Sequence, residues 1–453
     1  MPIIINFFTL LIFILFYFIN PARREPLNPI NVSIFFFTLF VVSDILVSAD
    51  ADNLEAYCTG SKIDHCNLYY FLLSTLLNNF VYITILLGLY FGIHMRRLNF
   101  LSLIFPGGRS NRIGLWLGVS SIAVGLFFLS KILVESGGFF QFWLNMETRS
   151  IVLQSLGYQL LLYEFFVTIG TLISFVALKE KKLLSYLVIL IGVALIGALA
   201  SRGAVAKYLF TVLIVMFMYW NLDRLKLFTV RNILILVFLF VVLIGGYLMR
   251  SPEYFSNGYF KVKNIQDDAF SILAEQVVGR FWRNERGMIS LAYFDRNQYF
   301  LGTSYTSLIY APVPRSIWPD KPPVEPGKYT LGMTAGDKIT PPMPSHTLPN
   351  EALPPGVWEN YWNFGLLGLT FAAFFSGFFV ALVYKSYVRR WTLTSSFVYS
   401  KLIYFGPVLF STTGVVEILT LSAALYLFAG FTLILSSFLY VFRFFYPFAP
   451  LRR

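Results

Sequence analysis

Eleven apolar stretches dominate this sequence, near residues 3–19, 31–49, 69–94, 113–134, 154–178, 183–200, 203–221, 230–249, 362–384, 397–414 and 420–442. Each is close to the ~20 residues that carry a helix across the hydrocarbon of a bilayer, so the pattern predicts an all-α polytopic membrane protein. The charge content agrees: 13% of the residues are Asp, Glu, Lys or Arg, against ~25% in soluble proteins. A chain of 453 residues has no single core large enough to hide that much apolar surface, and an ordinary soluble enzyme is excluded. The first stretch has no basic residue ahead of it and no small-residue cleavage pattern after it, so a retained anchor is expected.

The formal net charge of +12 would point to nucleic acid in a soluble chain. Here the basic residues fall in alternate loops, as orientation signals do, and no nucleic-acid partner is expected. They are Arg23 and Arg24; Arg96, Arg97, Arg109 and Arg112; Lys179, Lys181 and Lys182; Arg224, Lys226 and Arg231; Lys385, Arg389 and Arg390; and Arg443, Arg452 and Arg453. These loops are expected in the cytoplasm, with the N-terminus outside. The acidic segment from Asp50 to Asn67 then lies outside and carries both cysteines of the chain, Cys58 and Cys66. A pair on an oxidising face is most simply a disulfide. His65 beside Cys66 lacks the further ligands a metal site needs.

Three parts follow from this order: a first membrane bundle over 1–249, a large outer loop domain over 250–361, and a second bundle over 362–453. The loop begins with helical periodicity from Asp267 to Phe294, where Arg280, Arg283 and Arg286 recur at three-residue spacing along one side. It continues into a proline-dense part in which long helices are excluded. Charges inside the apolar stretches are costly and usually paired or functional. Asp44, Lys131, Glu164 and Lys207 all lie toward the outer ends of their stretches, with ion pairing of Lys131 to Asp44 or Glu164 as the plain alternative. Arg202 opens the seventh stretch on the side where basic residues are otherwise rare. Several arginines meeting at a membrane face suit a phosphate or pyrophosphate, because guanidinium donates paired hydrogen bonds and stays charged. No phosphate-cradling loop, zinc-ligand spacing or internal repeat is present.

Two strings carry a resemblance, one in the outer loop and one running from its end into the ninth stretch. The first is Val313-Pro314-Arg315-Ser316-Ile317-Trp318-Pro319-Asp320-Lys321-Pro322, and the second is Glu359-Asn360-Tyr361-Trp362-Asn363-Phe364-Gly365-Leu366-Leu367-Gly368. With the Ser201-Arg202-Gly203 turn they resemble the bacterial O-antigen polymerases, the Wzy-type oligosaccharide repeat-unit polymerases. The resemblance implies a C-type glycosyltransferase-like fold in the bacterial inner membrane. It also implies polymerisation of undecaprenyl-pyrophosphate-linked oligosaccharides at the periplasmic face, with a chain-length regulator protein as a further partner.

By comparison with the related O-antigen ligases, the resemblance implies catalytic roles for Arg202, Arg280 and His346. Arg283 or Arg286 fits the role of Arg280 equally well by spacing, and Arg315 and Glu359 are further substrate-binding candidates. Arginines would stabilise the departing pyrophosphate. A base would take the proton of the attacking sugar hydroxyl, with His346 the first candidate because imidazole exchanges protons near neutral pH, and Glu359 the second. No cofactor is implied and no metal is expected, although Asp50 and Asp52 form a carboxylate pair of the kind that holds a metal in some C-type glycosyltransferases. A ligase acting on lipid A core and a lipid-linked oligosaccharide transporter are the alternatives.

Overall fold

The computed structural model describes residues 1–20, 25, 27–49, 54, 65–95, 111–144, 156–178, 180–199, 202–219, 255–256, 259–260, 284–313, 315, 317–349, 352–387, 393–405 and 408–445. These residues are mainly helical, in chain order α1 (Pro2–Ile19), α2 (Pro29–Ala49), α3 (Leu68–His94), α4 (Asn111–Glu135), α5 (Phe139–Leu144), α6 (Gly157–Ala177), α7 (Lys182–Gly197) and α8 (Arg202–Tyr219). Then follow an antiparallel pair of two-residue strands, β1 (Phe255–Ser256) and β2 (Tyr259–Phe260), and α9 (Asn284–Phe294), α10 (Ser307–Tyr310), α11 (Gly327–Thr334), α12 (Trp358–Tyr387), α13 (Leu393–Phe405) and α14 (Thr412–Phe445). Among the described residues, seven helices (α1–α4, α6, α12 and α14) are long and apolar enough to cross a membrane, while α7 and α8 contain shorter apolar helices. The protein is an all-α polytopic membrane protein. The apolar stretch at 230–249 lies outside the described residues, as do 267–283 at the start of the loop domain.

Two compact units are present. One holds the described residues within 1–103, 262–391 and 395–416; the other holds those within 104–261, 392–394 and 417–453. In the first, α3 is the central helix, packed by α1, α2, α9 and α12. Its start is set by Asn67, whose side chain accepts from Tyr70 N at 3.0 Å and so occupies a donor that the first turn leaves unpaired. Its contact with α12 is close because glycines meet backbone: a Cβ on Gly88 would clash with Phe374 O, and one on Gly377 with Ile85 O. Small residues are how membrane helices gain van der Waals contact, since lipid tails remove the hydrophobic advantage of association. Gly88→Val should therefore lower stability by about 1–3 kcal/mol, the usual range for overpacking. A heat-unfolding curve in detergent that overlays the wild type would show that α3 and α12 can part freely.

In the second unit α4 packs on α6 in the same manner, with Gly118 against Ser174 and Gly170 against Gly118 O and Ile122. Lys131 pairs with Glu135 at 3.9 Å along its own helix, and Lys207 with Glu417 at 3.3 Å. Glu164 is half-buried.

The described residues of the long loop share a core with the start of α12. Ile289, Tyr293, Phe300, Tyr329, Met333 and Leu348 gather around Trp362 of α12, whose Nε1 donates to Ser290 Oγ at 2.7 Å. Proline keeps the helices here short: α11 has eight residues, and a 3-10 turn spans Ser345–Thr347.

Candidate functional site at the mouth of a kinked span

The string 359–368 forms the first turns of α12 and breaks it. Phe364 (φ −137°, ψ 17°) and Gly365 (φ 60°, ψ −147°) are non-helical. The positive φ suits glycine, and a Cβ there would also approach the Tyr299 ring at 3.1 Å. A break frees carbonyls that need new donors. Phe300 N donates to Trp362 O at 2.8 Å, Leu301 N to Asn363 O at 3.1 Å, and Gly302 N to Asn363 Oδ1 at 2.9 Å. The segment 299–305 is thus stitched onto the kink.

Glu359 fastens the same place from inside. It is fully buried, and its carboxylate accepts from Ser304 Oγ at 3.0 Å, from Thr412 N at 2.7 Å and from Thr412 Oγ1. With its oxygens engaged, Glu359 ties the first turn of α12 to Ser304 and to the start of α14 and presents no face to a ligand. Tyr305 OH donates to Asn360 Oδ1 at 2.7 Å, and burial, reinforced by the nearby Glu359 charge, holds this phenol above its ordinary pKa.

An open cavity of about 670 Å³ lies over the kink. Its polar lining, Asn360, Asn363 and Tyr305, sits on or beside the turns before the break; Leu367, Phe371, Phe375 and Phe410 supply apolar wall beyond it. Asn360, Asn363 and Tyr305 are bonded among themselves and to their neighbours, so the cavity offers mainly apolar wall and suits a hydrocarbon chain.

The described residues of the string 313–322, namely 313, 315 and 317–322, form a strap anchored to the continuation of the same segment. Lys321 Nζ donates to Ala311 O at 3.0 Å and Val313 O at 2.7 Å, and Trp318 packs edge-on to Tyr310 with ring centres 5.8 Å apart. Arg315 Nη1 donates to Pro319 O at 3.4 Å. Asp320 Oδ1 lies 3.2 Å from His346 Nδ1, with both side chains well exposed. His346 and Arg315 are thereby brought to one strap.

Asp44 is buried in α2, and its carboxylate accepts from Asn284 Nδ2 at 2.6 Å. Asn284 opens α9 and binds on every side: Nδ2 also reaches Thr75 Oγ1 at 2.7 Å, Oδ1 accepts from Asn78 Nδ2 and from Ser74 Oγ at 3.1 Å, and Trp358 Nε1 donates to Asn78 Oδ1 at 3.2 Å. The Asp44 partner is therefore an amide of the loop domain. Sequence reasoning passes over Asn284, because an isolated Asn beside three arginines carries no pattern that marks it.

Arg286 is half-buried in the first turn of α9. Arg202 is the first residue of α8. Cys66 is disulfide-bonded. Arg280, Arg283, Cys58, Asp50 and Asp52 lie outside the described residues. Comparison with protein-family models, curated proteins and solved structures finds no match.

Proposed function

We propose that this chain is a bacterial polysaccharide polymerase. In this reading it is a metal-independent glycosyltransferase of the C-type fold with about eleven spans. It joins undecaprenyl-pyrophosphate-linked oligosaccharide repeat units at the periplasmic face of the inner membrane and releases undecaprenyl pyrophosphate. The observation that carries the reading is that both strings of the resemblance fasten to one segment, residues 299–313. The string 359–368 holds its first half through Leu301, Gly302, Ser304 and Tyr305, and the string 313–322 holds its second half through Tyr310 and Ala311.

The chemistry divides accordingly. The apolar wall of the cavity over the kink suits the hydrocarbon tail of a lipid carrier. The acceptor sugar hydroxyl forms the new glycosidic bond to the anomeric carbon of the growing chain while the bond from that carbon to the pyrophosphate breaks. Positive charge near the strap stabilises the departing oxygen. His346 takes the hydroxyl proton: a proton on Nδ1, shared with Asp320, leaves the Nε2 lone pair free to act as the base.

Deleting this chain from its host should abolish long surface polysaccharide and leave single repeat units attached to their acceptor. Loss of every attached unit would instead make it the ligase, and unchanged polysaccharide would remove the reading altogether.

A further inference from the structure

The helices α3 and α12 run in the same direction, tied near their starts by Trp358 Nε1 to Asn78 Oδ1 and near their ends by Lys385 Nζ to Ile93 O at 2.8 Å. Their first turns therefore share one face of the membrane, at the level where Tyr and Trp meet lipid headgroups. Four rings gather there. Tyr361 has the ring centres of Tyr299 and Trp358 at 5.6 Å and that of Phe294 at 6.3 Å, and Tyr299 stacks on Phe294 at 5.5 Å with the planes 17° apart. The Tyr299 and Tyr361 hydroxyls meet at 3.4 Å. Tyr299 is 40% exposed and also lines the open apolar cavity, beside Leu367 and Phe371.

Asp295 follows Phe294 directly and is exposed. Its Oδ2 accepts from the OH of Tyr70, in the first turn of α3, at 3.2 Å, which fixes the carboxylate beside the rings. Among the described residues Asp295 forms no ion pair and its Oδ1 accepts no hydrogen bond. Arg296 is exposed as well, and among the described residues its guanidinium forms no hydrogen bond or ion pair. A carboxylate and a guanidinium thus stand one position apart, about 3.8 Å between Cα atoms, each with its charge unanswered.

We propose that this cluster binds the headgroup of a bilayer phospholipid with a primary ammonium, the phosphatidylethanolamine class. The ammonium lies against Tyr299 and Tyr361 and pairs with Asp295, while Arg296 takes the phosphate through its planar fork. An ammonium with three N–H donors suits Asp295 Oδ1 and the two tyrosine hydroxyl oxygens. The trimethylammonium of a choline lipid has no N–H to give them, and a glycerol headgroup brings no cation to Asp295. The apolar wall that continues from Tyr299 along α12 receives hydrocarbon next to the head. The site does not depend on the polymerase reading, because its occupant is a lipid of the surrounding membrane and not a substrate.

The purified full chain in detergent is offered equal amounts of dioleoyl phosphatidylethanolamine, phosphatidylcholine and phosphatidylglycerol, and the retained lipid is read by native mass spectrometry. The tails are identical, so only the headgroups compete. The wild type should retain the ethanolamine lipid about tenfold over the other two, the order expected of a cation–π contact joined to a charge-assisted hydrogen bond. Asp295→Asn still accepts from Tyr70 OH, so it should unfold at the wild-type temperature and lose the preference. Arg296→Gln should lower retention of all three lipids alike, since each carries the phosphate. Any other order among the three lipids on the wild type overturns the site, and so does a preference that survives Asp295→Asn. Retention untouched by Arg296→Gln overturns it equally. Because no step uses polysaccharide synthesis, an ethanolamine preference in a chain whose deletion leaves surface polysaccharide unchanged would end the polymerase reading and leave this site standing.

Discussion

Asn284→Leu is expected to destabilise the protein by roughly 3–5 kcal/mol, since each buried polar group left without its partner costs about 1–3 kcal/mol. The substitution keeps the side-chain size and strips partners from Asp44, Asn78 and Thr75 together, all of them buried. Asp44→Leu should be milder. It removes the buried carboxyl along with its need for a donor, and Asn284 keeps Thr75, Ser74 and Asn78. The double variant Asp44→Leu with Asn284→Leu should then be more stable than Asn284→Leu alone. Unfolding temperatures in detergent decide this, and an Asn284→Leu protein that melts with the wild type would reduce the network to a bystander.

His346→Ala should cut polymerisation of lipid-linked repeat units by about 10²–10⁴-fold, the usual contribution of a positioned general base. Protein level and unfolding temperature should not change, because the side chain is 63% exposed and touches only Asp320 among the described contacts. Asp320→Asn should lose less, on the order of tenfold to a hundredfold, since it affects ring orientation and tautomer while leaving the base in place. Purified enzyme assayed in excess chelator should retain full activity. Near-normal rates in His346→Ala would take the base role from this residue. That role would not pass to Glu359, whose oxygens are engaged by Ser304 and Thr412.

Much of the candidate site is legible in the two strings themselves, but as likeness and not as mechanism. The apolar stretch at 362–384 reads as one unbroken span, yet Phe364 and Gly365 are non-helical and break it. The consequence stays hidden at the level of sequence: the freed carbonyls of Trp362 and Asn363 are claimed by Phe300 and Leu301, some sixty residues earlier in the chain. Glu359 illustrates the same limit from the other side. A carboxylate at the mouth of a span reads as reactive chemistry, and only packing against Ser304 and Thr412 makes it a fastener. Lys321 is buried only because the folded strap turns its ammonium onto the carbonyls of Ala311 and Val313.

What the amino-acid sequence determined by itself is the class of the protein and the places of its long apolar helices, seven among the described residues. The length of an apolar run and the energy of leaving peptide groups unpaired in hydrocarbon are local quantities, complete within each stretch of about twenty residues. What the tertiary structure decided is the partner of each polar group. Asp44 and Asn284 are 240 positions apart and meet at 2.6 Å. A hydrogen bond acts over about 3 Å of space, whatever the separation along the chain, so no periodicity or spacing in the sequence records it.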